Sequence, residues 1–378
     1  MKTLAITSVA ALGVIAALIG WFVLRSDPMG GEPFVVIQID PQARQVAGRS
    51  AEPVPDVKQV APVVPLPGEG TVQQTLPAQA FSDAKDTPPA ASPHAEARVD
   101  GSGALQLPPV PVRSLVESSR YGPLPKIAAD GTRPSEVYAR PAASHFEPGP
   151  GQPVRIAILI TNLGLSEVET TQAIDSLPGE VTLAFGPYGR NLEGWVRQAR
   201  GAGHEIMLQV PLEPFDYPHN DPAPHTLLTS LSPEENMKRL HWIMSRFTGY
   251  TGITNYMGAK FTATQQAFLP VLEEIKSRGL LYLDDGTAAR STASQIARDL
   301  GMDYSSSQLV IDEGRNATEI DLAWKKLESI AQQNGFAIGI GSSLPVTIGR
   351  VAEWSKSLKS KGIELIPVSA AVRSGRQT

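Results

Sequence analysis

The 378 residues contain no cysteine. Disulfides, thiolate zinc sites and a thiol nucleophile are therefore excluded, while the compartment is left open. No basic run is present either. Lys and Arg number 33 against 38 Asp and Glu, a net charge of -5. Without a basic footprint, no nucleic-acid partner is expected. Histidine is scarce, with six in all. His94 and His145 lie in Pro-rich sequence, His204 at a strand start and His241 on a helix pattern. Only His219 and His225 share a loop, with Asp216 and Asp221, and loop spacing of that kind carries no specific metal signal. Ser342-Ser343 lacks a nucleophile-elbow pattern, so it gives no support to a serine hydrolase.

The chain begins with a feature of the opposite kind. From Leu4 to Leu24 there is no charge. About 20 apolar residues suffice to span a bilayer as a helix, and Trp21 suits the interface. Lys2 precedes the run and Arg25 follows it. The leading expectation is an N-terminal membrane anchor over 1–25, a single pass through the inner membrane. A cleaved signal peptide is the alternative, opposed by the length of the run and the lack of a small-residue cleavage site. Both place the remainder outside the cytoplasm, in the periplasm.

Residues 26–150 hold 21 of the 33 prolines. Such sequence buries too little apolar surface to offset its ordering entropy. A disordered Pro-rich linker is expected over 26–114, and an extended, partly ordered lead-in over 115–152.

From Val154 the pattern becomes regular. Val154–Ile160 is nearly continuous apolar sequence, as in a parallel strand covered on both faces. Helix patterns over 166–176, 191–201, 233–247, 264–278, 291–300, 317–334 and 347–361 alternate with short apolar runs. Alternation of this kind predicts a parallel sheet with crossover helices, and the count suits a complete or distorted (β/α) barrel. Chemistry in such folds sits at the C-terminal ends of the strands. Those ends are 161–162, 186–187, 209–213, 255–260, 284–285, 312–313 and 341–343.

Several of these segments resemble the divergent polysaccharide deacetylase family. They are Ile160-Thr-Asn-Leu-Gly-Leu165, Val181–Phe185, Gly203-His-Glu205, Pro211-Leu-Glu-Pro214, Asn255-Tyr-Met-Gly-Ala259 with Phe261-Thr-Ala263, Arg278-Gly-Leu280 with Leu283-Asp284, and Gly362–Ser369. They run in order through 153–372. The resemblance implies a distorted barrel of the polysaccharide deacetylase type, related to esterases that remove N-acetyl groups from glycans. It also implies a metal, zinc by expectation, held by an Asp and two His. Here the Asp-Asp position of the family reads Thr161-Asn162. The counterpart of the first His is Gln209, Tyr256 replaces the second, and Ser342 stands where Gly-His-Pro is usual. These groups are poor ligands for zinc, so no metal is expected.

Among the remaining residues, Asp284 and Asp285 are candidates for a general base or for accepting sugar hydroxyls; the alternative is that Asp285-Gly286 forms a turn and caps the next helix. Glu213 is a candidate for a ligand or for Lys260. Asn255, Tyr256 and Lys260 form a candidate sugar platform, with Thr161, Asn162, Gln209 and Ser342 beside it; alternatively Tyr256 fills the volume of the missing His and metal. Three readings follow. The first is a non-catalytic module that binds cell-wall glycan or an envelope protein. The second is a carbohydrate deacetylase or hydrolase that uses Asp284, Asp285 and Glu213. The third is a structural envelope protein.

Overall fold

The computed structural model describes residues 98–99, 105–142 and 153–374. The expected anchor, most of the expected linker and residues 143–152 of the lead-in lie outside them. No helix among the described residues is long and apolar enough to cross a membrane.

The domain starts with β1 (Val154–Leu163), α1 (Glu167–Ser176), β2 (Thr182–Phe185), α2 (Leu192–Gly201), β3 (Ile206–Leu212) and α3 (Pro233–Met244). It continues through β4 (Gly252–Met257), α4 (Ala259–Ala263), α5 (Gln265–Ser277), β5 (Leu281–Asp284) and α6 (Ala293–Leu300). The last elements are β6 (Tyr304–Ser306), β7 (Leu309–Val310), α7 (Ala317–Asn334), β8 (Phe336–Ser342), α8 (Pro345–Ser357), β9 (Ile363–Ile366) and α9 (Val368–Ser374). The strand order is β6-β5-β4-β3-β2-β1-β8-β7, and every pairing is parallel. Strand β9 pairs with Val154–Ala157 of β1, while β2 takes up β1 only from Leu159 onward.

The result is a parallel-sheet α/β half-barrel. Its outermost strands, β6 and β7, are consecutive stretches of chain. Between them the Ser307 N–H donates to the Asp284 carbonyl and the Gln308 N–H to that of Ile338. A single strand was expected at Leu309–Ile311. Two short ones form instead, because the chain crosses at Ser307 from the edge of β5 to the edge of β8.

Strand periodicity sorts the core into two faces. On the convex face Ile156, Ile158, Ile160, Leu183, Phe185, Ile206, Leu208 and Ile253 pack under the helices. On the concave face Ala157, Leu159, Ala184, Met207, Leu281, Leu283, Ile338 and Ile340 meet Val368, Ala371 and Val372 of α9. Both faces are dry, which is why β1 reads as an unbroken apolar run. Helix α9 was not expected from sequence. It is seven residues long, too short for its apolar side chains to show a helical period.

The lead-in packs on this domain. Val116–Ser119 and Gly122–Pro125 form an antiparallel hairpin. The guanidinium of Arg200, buried in α2, donates from Nε to the Pro108 carbonyl at 3.1 Å and from Nη1 to that of Tyr138 at 2.8 Å. Fully buried Glu205 accepts from the N–H groups of Arg140, at 3.1 Å, and Ser369, at 3.0 Å. One carboxylate thus joins the lead-in, the start of β3 and the start of α9.

Candidate functional site

Strand β1 ends in a turn. Its register against β2 shifts between Ile160 and Leu163, and Asn162 adopts a left-handed conformation with φ 65°, which Asn tolerates better than most residues. The turn directs the Asn162 N–H to Oε1 of Gln209 at 3.0 Å. A backbone N–H can only donate, so this contact fixes the amide orientation of Gln209. Its oxygen faces Asn162. Its Nε2 has no partner among the described residues and opens on a cavity of about 370 Å³.

The cavity lies over the C-terminal ends of β1, β3, β4 and β8. Asn162, Gln209, Tyr256 and Ser342 line it, together with Leu165, Pro187, Tyr188 and Pro211. Four of the predicted residues therefore come together. Parity places three of them, since Gln209, Tyr256 and Ser342 continue the concave-face positions of their strands, and the register shift after Ile160 brings in Asn162, which has the opposite parity. Thr161 lies just behind, buried, with its hydroxyl donating to the Gly341 carbonyl at 3.1 Å. Ser342 is held from below, because its N–H and hydroxyl both donate to Oδ2 of buried Asp312, at 2.8 and 2.6 Å. Thr347 donates to the same oxygen.

The other candidates have opposite parity or lie off the sheet, and they do not line the cavity. Asn255 sits on the convex side. Its Oδ1 accepts from the Tyr282 hydroxyl and the Asp285 N–H, both at 3.0 Å, and its Nδ2 donates to the Met257 carbonyl at 2.7 Å. Asp284 accepts from the Gly286 N–H and the Ser291 hydroxyl. Asp285 accepts from the N–H and hydroxyl of Thr287. Burial raises the Asp285 pKa, and the Thr287 bonds oppose the shift.

Glu213 accepts from the Thr229 N–H at 2.6 Å, the Thr229 hydroxyl at 2.7 Å and Lys260 Nζ at 2.8 Å. Burial pushes its pKa up, but these bonds together outweigh burial and leave it below the ordinary value. The chain reaches this clamp through Gly258, at φ +102°, where a Cβ would stand 2.5 Å from that of Leu212. In the neighbouring loop His225 stacks on Trp242, centroids 3.7 Å apart, and His219 is exposed.

Two charged residues of the cavity were not anticipated. Glu169 projects from the first turn of α1, and Arg315 follows β7 in a left-handed turn. Each lies a few residues beyond a strand end, outside the segments that alternation marks.

The resemblance implies a divalent metal, and the side chains at the corresponding positions do not suit one. The Gln209 oxygen is engaged by Asn162, the Ser342 and Thr161 hydroxyls are committed as donors, and Tyr256 stands where the family has an imidazole. Zinc sites use imidazole, carboxylate or thiolate. Among the described residues, no three His, Asp or Glu side chains converge as a metal-binding group.

Known proteins are similar to this chain in sequence and in fold. A structure from Agrobacterium tumefaciens C58, the uncharacterized protein ATU2773, superposes with TM-score 0.63 at 42% identity, covering 66% of this chain and 99% of that one. The uncharacterized protein YibQ of Escherichia coli is 23% identical over 194 residues, 51% of this chain, and the match spans 60% of YibQ. The catalytic domain of a peptidoglycan N-acetylglucosamine deacetylase from Eubacterium rectale superposes more weakly, at TM-score 0.37 and 12% identity, covering 60% of this chain and 92% of that one. A model of the divergent polysaccharide deacetylases matches residues 158–372. The chain belongs to the divergent polysaccharide deacetylase family.

Proposed function

We propose that the domain is a non-catalytic glycan-binding module of the cell envelope, held at the inner membrane through the apolar run 4–24 and presented in the periplasm. One observation carries this reading. At the concave strand ends, where a hydrolytic metal would need several carboxylate or imidazole ligands, the chain builds a cavity walled by amides, hydroxyls and two tyrosines, with Glu169 as its one carboxylate. A cavity of a few hundred Å³, mostly apolar with a few fixed polar groups, suits a small polar ligand. The carboxylates that could replace the metal, Asp284, Asp285 and Glu213, lie outside that cavity and accept from neighbouring N–H, hydroxyl and ammonium groups.

The test is to titrate the full-length chain in detergent with a partially N-acetylated glucosamine tetrasaccharide, while monitoring acetate and bound metal. Saturable binding without acetate release, abolished by Tyr256→Ala, is expected. Acetate release accompanied by one tightly held metal per chain would overturn the reading.

A further inference from the structure

Two acceptors line the cavity beside the Gln209 amide, Glu169 and Ser342. Glu169 lines it half-buried and enters no ion pair among the described residues. The Ser343 hydroxyl stands 3.5 Å from its Oε2, too long for a firm bond. Ser342 lines the same cavity, and its hydroxyl hydrogen is committed to Asp312. Toward the cavity Ser342 therefore offers only lone pairs. Asp312 lies directly behind it, buried, and adds a second negative charge on that side. Arg315 is the one cation among the lining residues, and it is exposed, where solvent screens it more than the half-buried Glu169. The rings of Tyr188 and Tyr256 complete the surroundings, and aromatic faces attract ammonium groups.

We propose that this cavity selects the free ammonium of a deacetylated amino sugar, with Glu169 supplying the countercharge and the Ser342 hydroxyl oxygen a second acceptor. The inference rests on the glycan-binding reading and adds to it the chemical form of the sugar. An ammonium group brings three donors and a positive charge to a wall that has acceptors and negative charge. An acetamido nitrogen brings one donor and no charge, so it would leave the charge of Glu169 uncompensated. Sites built to bond a polar group reject analogues that lack it, because their own buried groups are then left unpaired. The Nε2 hydrogens of Gln209, which lines the same cavity, are left for sugar hydroxyl oxygens. In a reaction sequence, this places the protein after an N-deacetylation step that another catalyst performs.

The test compares glucosamine tetrasaccharide with its fully N-acetylated counterpart by calorimetric titration of the full-length chain. The free-amine oligomer is expected to bind about tenfold tighter, the value of one charge-assisted hydrogen bond. Glu169→Gln is expected to erase that preference without changing the melting temperature. Equal affinity for the two oligomers, or a preference that survives Glu169→Gln, would overturn this inference and leave the glycan-binding reading standing. Binding of neither oligomer would overturn both.

Discussion

Replacing Glu213 with Gln separates a structural role from a chemical one. The carboxylate is 3% exposed. It receives two bonds from Thr229 and one from Lys260, which is itself 40% exposed. The amide introduced by Glu213→Gln has one acceptor oxygen, and its NH2 must then face either the Thr229 donors or the ammonium. Either choice leaves donors opposed in a buried place. Hydrogen bonds to charged groups contribute about 1.5–3 kcal/mol each, and the exposed Lys260 adds little. A loss of about 2–3 kcal/mol is therefore expected, equivalent to roughly 5–10 °C in melting temperature for a domain of this size. Circular dichroism melts of wild type and variant at pH 7 measure it. The pH dependence gives a second signature. The folded-state pKa of Glu213 lies below its ordinary value of 4.5. Its contribution is thus fully present above that value and is lost as pH falls through the folded pKa. The gap between the two melts should narrow below about pH 4.5. Unchanged melts together with lost oligosaccharide binding would refute this reasoning and make Glu213 part of the ligand site.

Two further outcomes follow from the same structure. Arg200→Met removes the donors to the Pro108 and Tyr138 carbonyls, and each orphaned acceptor costs about 1–3 kcal/mol. Hydrogen exchange over 105–142 should accelerate while β3 and β8 stay protected; unchanged exchange would mean that the lead-in is held elsewhere. Glu274 is held to about 2 by its bond with His241, aided by Arg278 and opposed by burial. Its stabilisation is present above the ordinary 4.5 and lost between there and about 2, so Glu274→Gln should lower the urea midpoint at pH 7 by the equivalent of about 1–2 kcal/mol, discounted for partial exposure. It should leave the midpoint at pH 2 unchanged.

The sequence made the sheet legible through alternation, and the cavity through the ends of its strands. Val154–Ile160 announced a strand dry on both faces, and the helix patterns over 166–176 and 233–247 announced α1 and α3, whose first turns Ser166 and Ser232 cap in the structure. What stayed hidden was short or depended on the third dimension. Tyr304–Ser306 and α9 are too brief to show a period, and Arg200 looks like any amphipathic-helix cation until the lead-in folds over it.

Strand parity explains which candidates meet and which do not. A strand end selects a short segment of sequence but not a face of the sheet. Asn255 and Tyr256 are adjacent in sequence, yet only Tyr256 continues the concave series, because Ile253 packs on the convex side. The same count of two places Gln209 after Met207, and Ser342 after Ile338 and Ile340. It places Asp284 after Tyr282 on the convex side, where its carboxylate orders the turn into α6. Counting parity from the apolar residues of each strand would have set Asn255 and Asp284 apart from Gln209, Tyr256 and Ser342, but it would have kept Glu213 and Asp285, which lie beyond their strand ends, and missed Asn162, which enters through the register shift of β1. Glu169 and Arg315 would still have escaped it, since both reach the cavity from beyond the strands.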